Sequence, residues 1–266
     1  MNAITRILLR VLSRTARPYL KSYGLLRVKK VFNQSALEWT PANERVVVLA
    51  PHMDDEVIGC GGTLARHIAC GADITVVFLT DGRRGGGAGA AATRKQEAGR
   101  ALAELGITKI VYLDGEDGRL DATAALTLML REALRAARPD IVYLPFFLEE
   151  HPDHRAASAL LAEAVRGTQL TFRCHAYEVW TPLFPNCFVR IDATVDAKRR
   201  ALSHYQSQLA EADYLHTSLG LNAYRSSALL DGGCRFAEAF CAVSLPQYLE
   251  LFRRYGGAGP SDGTVS

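Results

Sequence analysis

Four short apolar runs punctuate the first part of the chain, and a stretch with helical spacing follows each of them. They are residues 45–50, Ile74-Thr75-Val76-Val77-Phe78-Leu79, Ile110-Val111-Tyr112-Leu113 and residues 140–145. Runs that are apolar throughout suit strands buried on both faces, and strand–helix alternation builds parallel sheets. The expected fold class is therefore α/β: a Rossmann-like, mostly parallel sheet flanked by helices, with ligands collecting at the carboxyl ends of strands. Helices are predicted at about 60–70, closed by Gly71; at about 93–105, with Thr93 as N-cap, Gln96 completing a capping box and Gly106 ending it; at about 122–137; and from His154 onward. Residues 174–180 and 188–191 read as later strands and residues 194–209 as a helix. The expected organisation is a basic N-terminal helix and connector at 1–43, one catalytic domain at 44–255 and a flexible tail rich in Gly, Pro and Ser at 256–266.

Two segments at strand ends carry the chemistry. Pro51-His52-Met53-Asp54-Asp55-Glu56 follows the first run, and His151-Pro152-Asp153-His154 follows the fourth. Taken singly, an Asp-Asp pair is a solvated turn and His-Pro-Asp-His is a helix cap, since Asp and Pro both suit the first turn. Taken together, at two strand ends of one sheet, they offer the imidazole and carboxylate donors of a single metal site. Such donors suit zinc, and also iron(II). Three protein ligands plus a position for water is the usual catalytic zinc arrangement. His52 and Asp55 are three residues apart, so they converge if the chain turns directly after the strand. Asp54 and Asp55 point differently, so one can bind metal while the other takes a proton from water. His154 can supply a third donor, and His151 can polarise or protonate the substrate from across the cavity.

The stretch Val46 to Gly62, ending in Glu56-Val57-Ile58-Gly59-Cys60-Gly61-Gly62, taken with His151-Pro152-Asp153-His154, resembles the LmbE-like or PIG-L family of metal-dependent de-N-acetylases. Weaker likenesses are Thr80-Asp81-Gly82, Arg94 and Glu97 with Leu105-Gly106, and the run Lys198, Ala201, Leu202, Tyr205, Ser207, Gln208. The resemblance implies that His52, Asp55 and His154 are metal ligands and that Asp54 is the general base. It implies that His151 assists the leaving amine or the oxyanion, that Asp153 orients His151, and that Arg94 contacts substrate. It also implies a zinc or other divalent ion such as iron(II), and an N-acetylated amino sugar of the N-acetylglucosamine type, lipid-linked in some relatives, that yields acetate and a free amine. Met53 stands where that family commonly has Pro; thioether is not a ligand for a hard site, so Met53 is read as packing. Two rivals remain: a metallohydrolase of this fold that cuts a non-sugar amide or an ester, and a non-catalytic binding protein.

At 266 residues and 48% hydrophobic content, the chain suits one large domain with a full core. No run approaches the roughly 18 apolar residues of a membrane span. The six cysteines show no C-x-x-C spacing, which favours a reducing cytoplasm. The net charge of +3 is uneven. Residues 1–37 hold eight Lys or Arg and no acid, and the remainder holds 23 basic against 28 acidic residues. A mildly acidic body excludes a nucleic-acid groove. At the N-terminus, Arg6, Arg10, Arg14, Arg17 and Lys21 share one helical face opposite Ile4, Ile7, Leu8, Val11 and Leu12. Three roles fit residues 1–21: lying on an anionic membrane surface, packing on the body or on a second subunit, or targeting. The first would make the protein peripheral at the inner face of the membrane. The oligomeric state is left open. The Gly-rich run from Arg83 to Ala90 lacks the Gly-Lys-Ser/Thr end of a phosphate loop and reads as a plain loop or a mobile lid.

Overall fold

The computed structural model describes residues 37–84, 89–229 and 232–256. The basic N-terminal segment with its three roles, the centre of the Gly-rich run and the tail after Gly256 lie outside the described residues. No helix among the described residues is long and apolar enough to cross a membrane.

Among the described residues, eight strands form one sheet: β1 (Leu37–Glu38), β2 (Arg45–Ala50), β3 (Asp73–Thr80), β4 (Lys109–Gly115), β5 (Ile141–Pro145), β6 (Arg173–Tyr177), β7 (Cys187–Arg190) and β8 (Ala237–Ser244). Their order is β1-β7-β8-β6-β5-β2-β3-β4. All neighbours are parallel except those of β8, which runs antiparallel to both β6 and β7. From β2 the chain adds β3 and β4 on one side, then crosses back to add β5 and β6 on the other. The crevice above β2 and β5 is thus the topological switch point, where open α/β sheets bind ligands. The two segments singled out in the sequence follow these two strands.

The helices among the described residues are α1 (Asp55–Ala69), α2 (Ala90–Glu104), α3 (Ala124–Ala137), α4 (Pro152–Val165), α5 (Val195–Ser203), α6 (Gln206–Leu209), α7 (Tyr214–Ser226) and α8 (Leu245–Tyr255). Alternate strand residues feed two cores. Val47, Leu49, Val142 and Leu144 pack with Leu130, Leu134, Leu160 and Tyr248 of α3, α4 and α8. Val46, Val48, Val76 and Tyr143 pack with Val57, Leu64, Leu102 and Leu202 of α1, α2 and α5. Strands β2, β3 and β5 are therefore covered on both faces, which is why their sequences read as continuous apolar runs.

Several boundaries differ from expectation. Residues 37–43 belong to the body: β1 pairs with β7, and Trp39 meets the rings of His67 and His175. Helix α2 starts at Ala90 behind Gly89, whose φ of 95° supplies the left-handed turn, so Thr93 lies inside the first turn and caps nothing. Gly106, at φ 80°, does follow its end. Strand β6 stops at Tyr177, and the 194–209 stretch is two helices broken at His204-Tyr205. Helix α1 begins at Asp55 rather than near residue 60.

That early start comes with a kink. Cys60 has φ −146° and ψ 15°, so α1 is a short first turn joined to a second helix. The break frees the Ile58 carbonyl and the Gly62 and Thr63 amides inside the protein. One buried ion pair satisfies them. Lys198 Nζ donates to the Ile58 carbonyl (2.8 Å), to Asn222 Oδ1 (2.8 Å) and to Glu238 Oε1 (2.7 Å). Glu238 accepts from the Gly62 amide (2.9 Å) and the Thr63 amide (2.7 Å). Removing one member of a buried pair strands the other charge and typically costs about 3–5 kcal/mol, whereas neutralising both is often tolerated. Lys198→Met should therefore lose stability on that scale in denaturant unfolding, and Lys198→Met/Glu238→Gln should recover most of it. A double variant as unstable as the single one would refute this account.

Candidate active site

The turn after β2 is fixed before any ligand arrives. Thr80 at the end of β3 donates both its hydroxyl (2.7 Å) and its amide (3.1 Å) to the Pro51 carbonyl. The His52 amide donates to Asp55 Oδ2 at 2.8 Å. Asp54 then takes a φ of 146°, sparsely populated for a residue with a side chain, which costs on the order of 1–3 kcal/mol. Glu56 holds it there: one carboxylate oxygen accepts from the Asp54 amide (3.1 Å) and the other from the Tyr205 hydroxyl. Met53 is buried in the core, its methyl so close to Gly82 that a Cβ there would meet it at 2.7 Å. It packs, as its chemistry required.

The strand-end segments meet. Asp55 Oδ2 lies 3.3 Å from His52 Nδ1 and 3.2 Å from His154 Nε2, and the two nitrogens are 3.4 Å apart. Donors arranged tetrahedrally at about 2.0–2.1 Å from one ion stand about 3.3–3.4 Å from each other. These three atoms have that spacing, and two imidazoles with one carboxylate are donors that zinc accepts. A donor atom of His151 also falls within 4.8 Å of those of His52 and His154, a looser fit than Asp55 provides. His154 Nδ1 is buried without a hydrogen bond, and the nearest carboxylate, Glu149 Oε2, is 3.9 Å away. An acceptor beside the outer nitrogen of a ligating histidine is the usual supporting arrangement. The residues present fit a divalent ion.

Charge is concentrated around His52. Its Nε2 lies 3.0 Å from Asp153 Oδ2 and 3.4 Å from Asp117 Oδ1. Burial opposes protonation of His52, but Asp117, Asp153 and Asp55 outweigh it and raise its pKa well above the ordinary value. Burial likewise opposes the Asp55 carboxylate, yet His154 and His52 hold it well below the usual range. Asp54 goes the other way. It is buried beside Asp55, and both effects push its pKa well up. His151 is lowered by burial and by the neighbouring His52 and His154 rings.

Asp153 does not do what the sequence implied. Only its amide reaches His151, donating to Nδ1 at 3.2 Å. Its carboxylate accepts from the Gly118 and Leu120 amides (2.7 and 3.0 Å) and orients His52 instead. Two further groups escaped sequence reasoning. Asp117, from the loop after β4, contacts Arg94 Nη1 at 3.3 Å as well as His52. Its signal was the same as that of the other site residues, an acid just past a strand end. Glu149 accepts from the Val179, Trp180 and Thr181 amides and had no motif to mark it. Arg94 lies on the wall of a cavity of about 280 Å³ that His52, Asp54, Asp55, Asp117 and His151 also line. With the Gln208 amide turned so that donors meet acceptors, its oxygen accepts from Arg94 Nε (2.9 Å) and Nη2 (3.0 Å).

Comparison with known proteins places the chain among relatives. Residues 47–165 match the profile of the PIG-L family, described as GlcNAc-PI de-N-acetylase. The chain is 32% identical over 190 residues to a diacetylchitobiose deacetylase of Thermococcus kodakarensis, covering 63% of this chain and 71% of that protein. A conserved protein of Thermus thermophilus superposes with a TM-score of 0.66 at 33% identity, over 74% of this chain and 93% of that one. The 4-carboxy-2-hydroxymuconate hydratase of Pseudomonas putida shares the fold at a TM-score of 0.66 and 22% identity, over 77% of this chain and 96% of that one, so the fold alone does not set the chemistry. With two strand-end segments converging on one donor triad and a relative matched over most of its length, the chain belongs to the PIG-L family of de-N-acetylases.

Proposed function

We propose that this protein is a zinc-dependent N-deacetylase that removes the acetyl group from an N-acetylglucosamine-type amino sugar, releasing acetate and the free amine. The observation that carries the reading is the mutual 3.2–3.4 Å spacing of His52 Nδ1, Asp55 Oδ2 and His154 Nε2 beside a cavity that Asp54 and His151 also line. His52, Asp55 and His154 hold the ion. When bound, it supplies Lewis acidity to the acetyl carbonyl and to the attacking water. Asp54, which lines the cavity beside Asp55, takes the proton from that water and passes it on to the departing nitrogen. His151 accepts the Asp153 amide at Nδ1, so its neutral ring carries the proton on Nε2. That N–H stabilises the developing oxyanion. Arg94, braced by Asp117 and Gln208, binds sugar oxygens. The basic segment within residues 1–21 fits an acceptor presented at an anionic surface.

Acetate release from lipid-linked, nucleotide-linked, polymeric and small-molecule N-acetylglucosaminides, with zinc-loaded and chelated protein, tests the reading. No release from any class by zinc-loaded protein would refute it. His52→Ala and His154→Ala should each lose most bound metal in elemental analysis; full occupancy in both would remove the proposed ligand set. Asp54→Asn should keep its metal and lose about 10²–10⁴-fold in turnover, the usual general-base contribution. Near-normal turnover in metal-replete Asp54→Asn would exclude Asp54 as the base. His151→Ala should slow turnover while metal content stays near wild type. Loss of metal would make His151 a ligand.

A further inference from the structure

Glu149 is a buried carboxylate whose only side-chain ion-pair contact among the described residues is His154 Nδ1, 3.9 Å from Oε2. Three consecutive amides hold its charge. Oε1 accepts from Val179 (2.6 Å) and Trp180 (3.1 Å), and Oε2 from Trp180 (3.1 Å) and Thr181 (3.1 Å). Successive N–H groups that converge in this way form an anion-binding concavity. The Glu150 amide ties the same two segments together, donating to Thr181 Oγ1 at 3.0 Å. The amides belong to the rim of the cavity. Val179 and Trp180 line it, and Trp180 stands edge-on to Tyr214 of α7, which also lines it, with ring centroids 5.7 Å apart. The same carboxylate faces the donor triad. With Nε2 turned to Asp55 and His52, a neutral His154 carries its proton on Nδ1, and that atom is buried without a hydrogen bond. At 3.9 Å the contact with Glu149 is electrostatic, too long for a hydrogen bond. A negative charge behind an imidazole raises its basicity as a ligand.

We infer, resting on the reading of His154 as a metal ligand, that Glu149 is a positioning residue that fixes His154 and the 179–181 rim to one carboxylate. The hold of the site on its ion and the order of the rim that meets the substrate are then set together. Linkage makes the coupling reciprocal. An ion that draws on the Glu149 charge through His154 changes how firmly that charge holds the amides. A rim displaced from Glu149 changes the field at His154. Asp153 behind His52 is braced by the Gly118 and Leu120 amides of the loop after β4, so Glu149 alone of the two joins a proposed ligand to Trp180.

Two measurements on the full chain test this: zinc affinity by competition with a chromophoric chelator, and Trp180 emission in a Trp39→Phe background. The chain has two tryptophans, so Trp180 is then the sole indole. Glu149→Gln should weaken zinc binding about tenfold or more, within the roughly 10–100-fold typical of such supporting groups. With Glu149 intact, zinc should shift Trp180 emission over the same concentrations that fill the site. In Glu149→Gln that shift should shrink or vanish. Glu149→Asp keeps the charge but shortens its reach, so it should lie between the two in both readouts, and it carries the test should the Gln variant not fold. A carboxylate that only braces the loop would lower the unfolding temperature of the metal-free protein when replaced and leave zinc affinity unchanged, which would overturn the inference. So would Trp180 emission blind to zinc with Glu149 intact, or an Asp variant equal to wild type in both readouts. Neither readout needs turnover. Failure of zinc-loaded protein to deacetylate any acetamido sugar would refute the deacetylase reading and leave the role of Glu149 standing. Unchanged zinc affinity of Glu149→Gln in a protein that releases acetate would refute that role alone.

Discussion

The arrangement of the site depends on one break in one helix. If α1 ran straight from Asp55 to Ala69, the Asp54–Asp55 turn and the body of the helix could not both keep their places against the sheet. Breaking it at Cys60 creates a short helix end that presents a carbonyl and a second helix start that presents amides. These ends carry opposite partial charges. Lys198 meets the carbonyl and Glu238 meets the amides, so each ion faces the dipole end it complements while also facing its partner. Asn222 adds α7 to the same knot. The turn that bears Asp55 and the wall that bears Tyr214 are thereby held to one reference point.

Near the donor triad the bookkeeping of charge is lopsided. Asp55, Asp117 and Asp153 all approach His52, and Arg94 reaches only Asp117 among them. Such crowding of carboxylates is costly in a buried cleft unless a cation shares it. Asp117, Asp153 and Asp55 accordingly raise the His52 pKa well above the ordinary value despite its burial. A divalent ion held by the proposed ligands would answer the same need and leave the imidazoles neutral.

Much of this was legible in the sequence because parallel strands buried on both faces cannot hide their apolar runs, and because the site residues lie directly behind two of them. The switch point followed from strand order, which short motifs cannot encode but alternation implies. Other features were masked by local chemistry. The start of α1 reads as a loop because Asp54, Asp55 and a cluster of glycines precede its apolar stripe; Gly59 is there because the Tyr177 ring would lie 2.2 Å from any Cβ. Strand β8 escaped because Glu238 interrupts its apolar pattern, and that acid is explained only by partners on other elements, Lys198 and the Gly62 and Thr63 amides. The resemblance implied that Asp153 serves His151, whereas the turn of α4 aims its carboxylate across the crevice at His52. Asp117 and Glu149 matter through contacts made in space, with no periodicity to announce them.

The position of β8 also governs how the chain can be made. Among the described residues it is the last strand in sequence, yet it lies between β6 and β7. As the polypeptide leaves the ribosome, the β4-β3-β2-β5-β6 block can close once Tyr177 is free. The outer edge of β6 then stays unpaired until residues 237–244 appear, and β7 and β1 have no seat before that. An unpaired apolar strand edge templates association with other chains. The nascent protein therefore carries an open seam through the synthesis of the whole 178–236 segment, a window in which chaperones have a defined surface to protect.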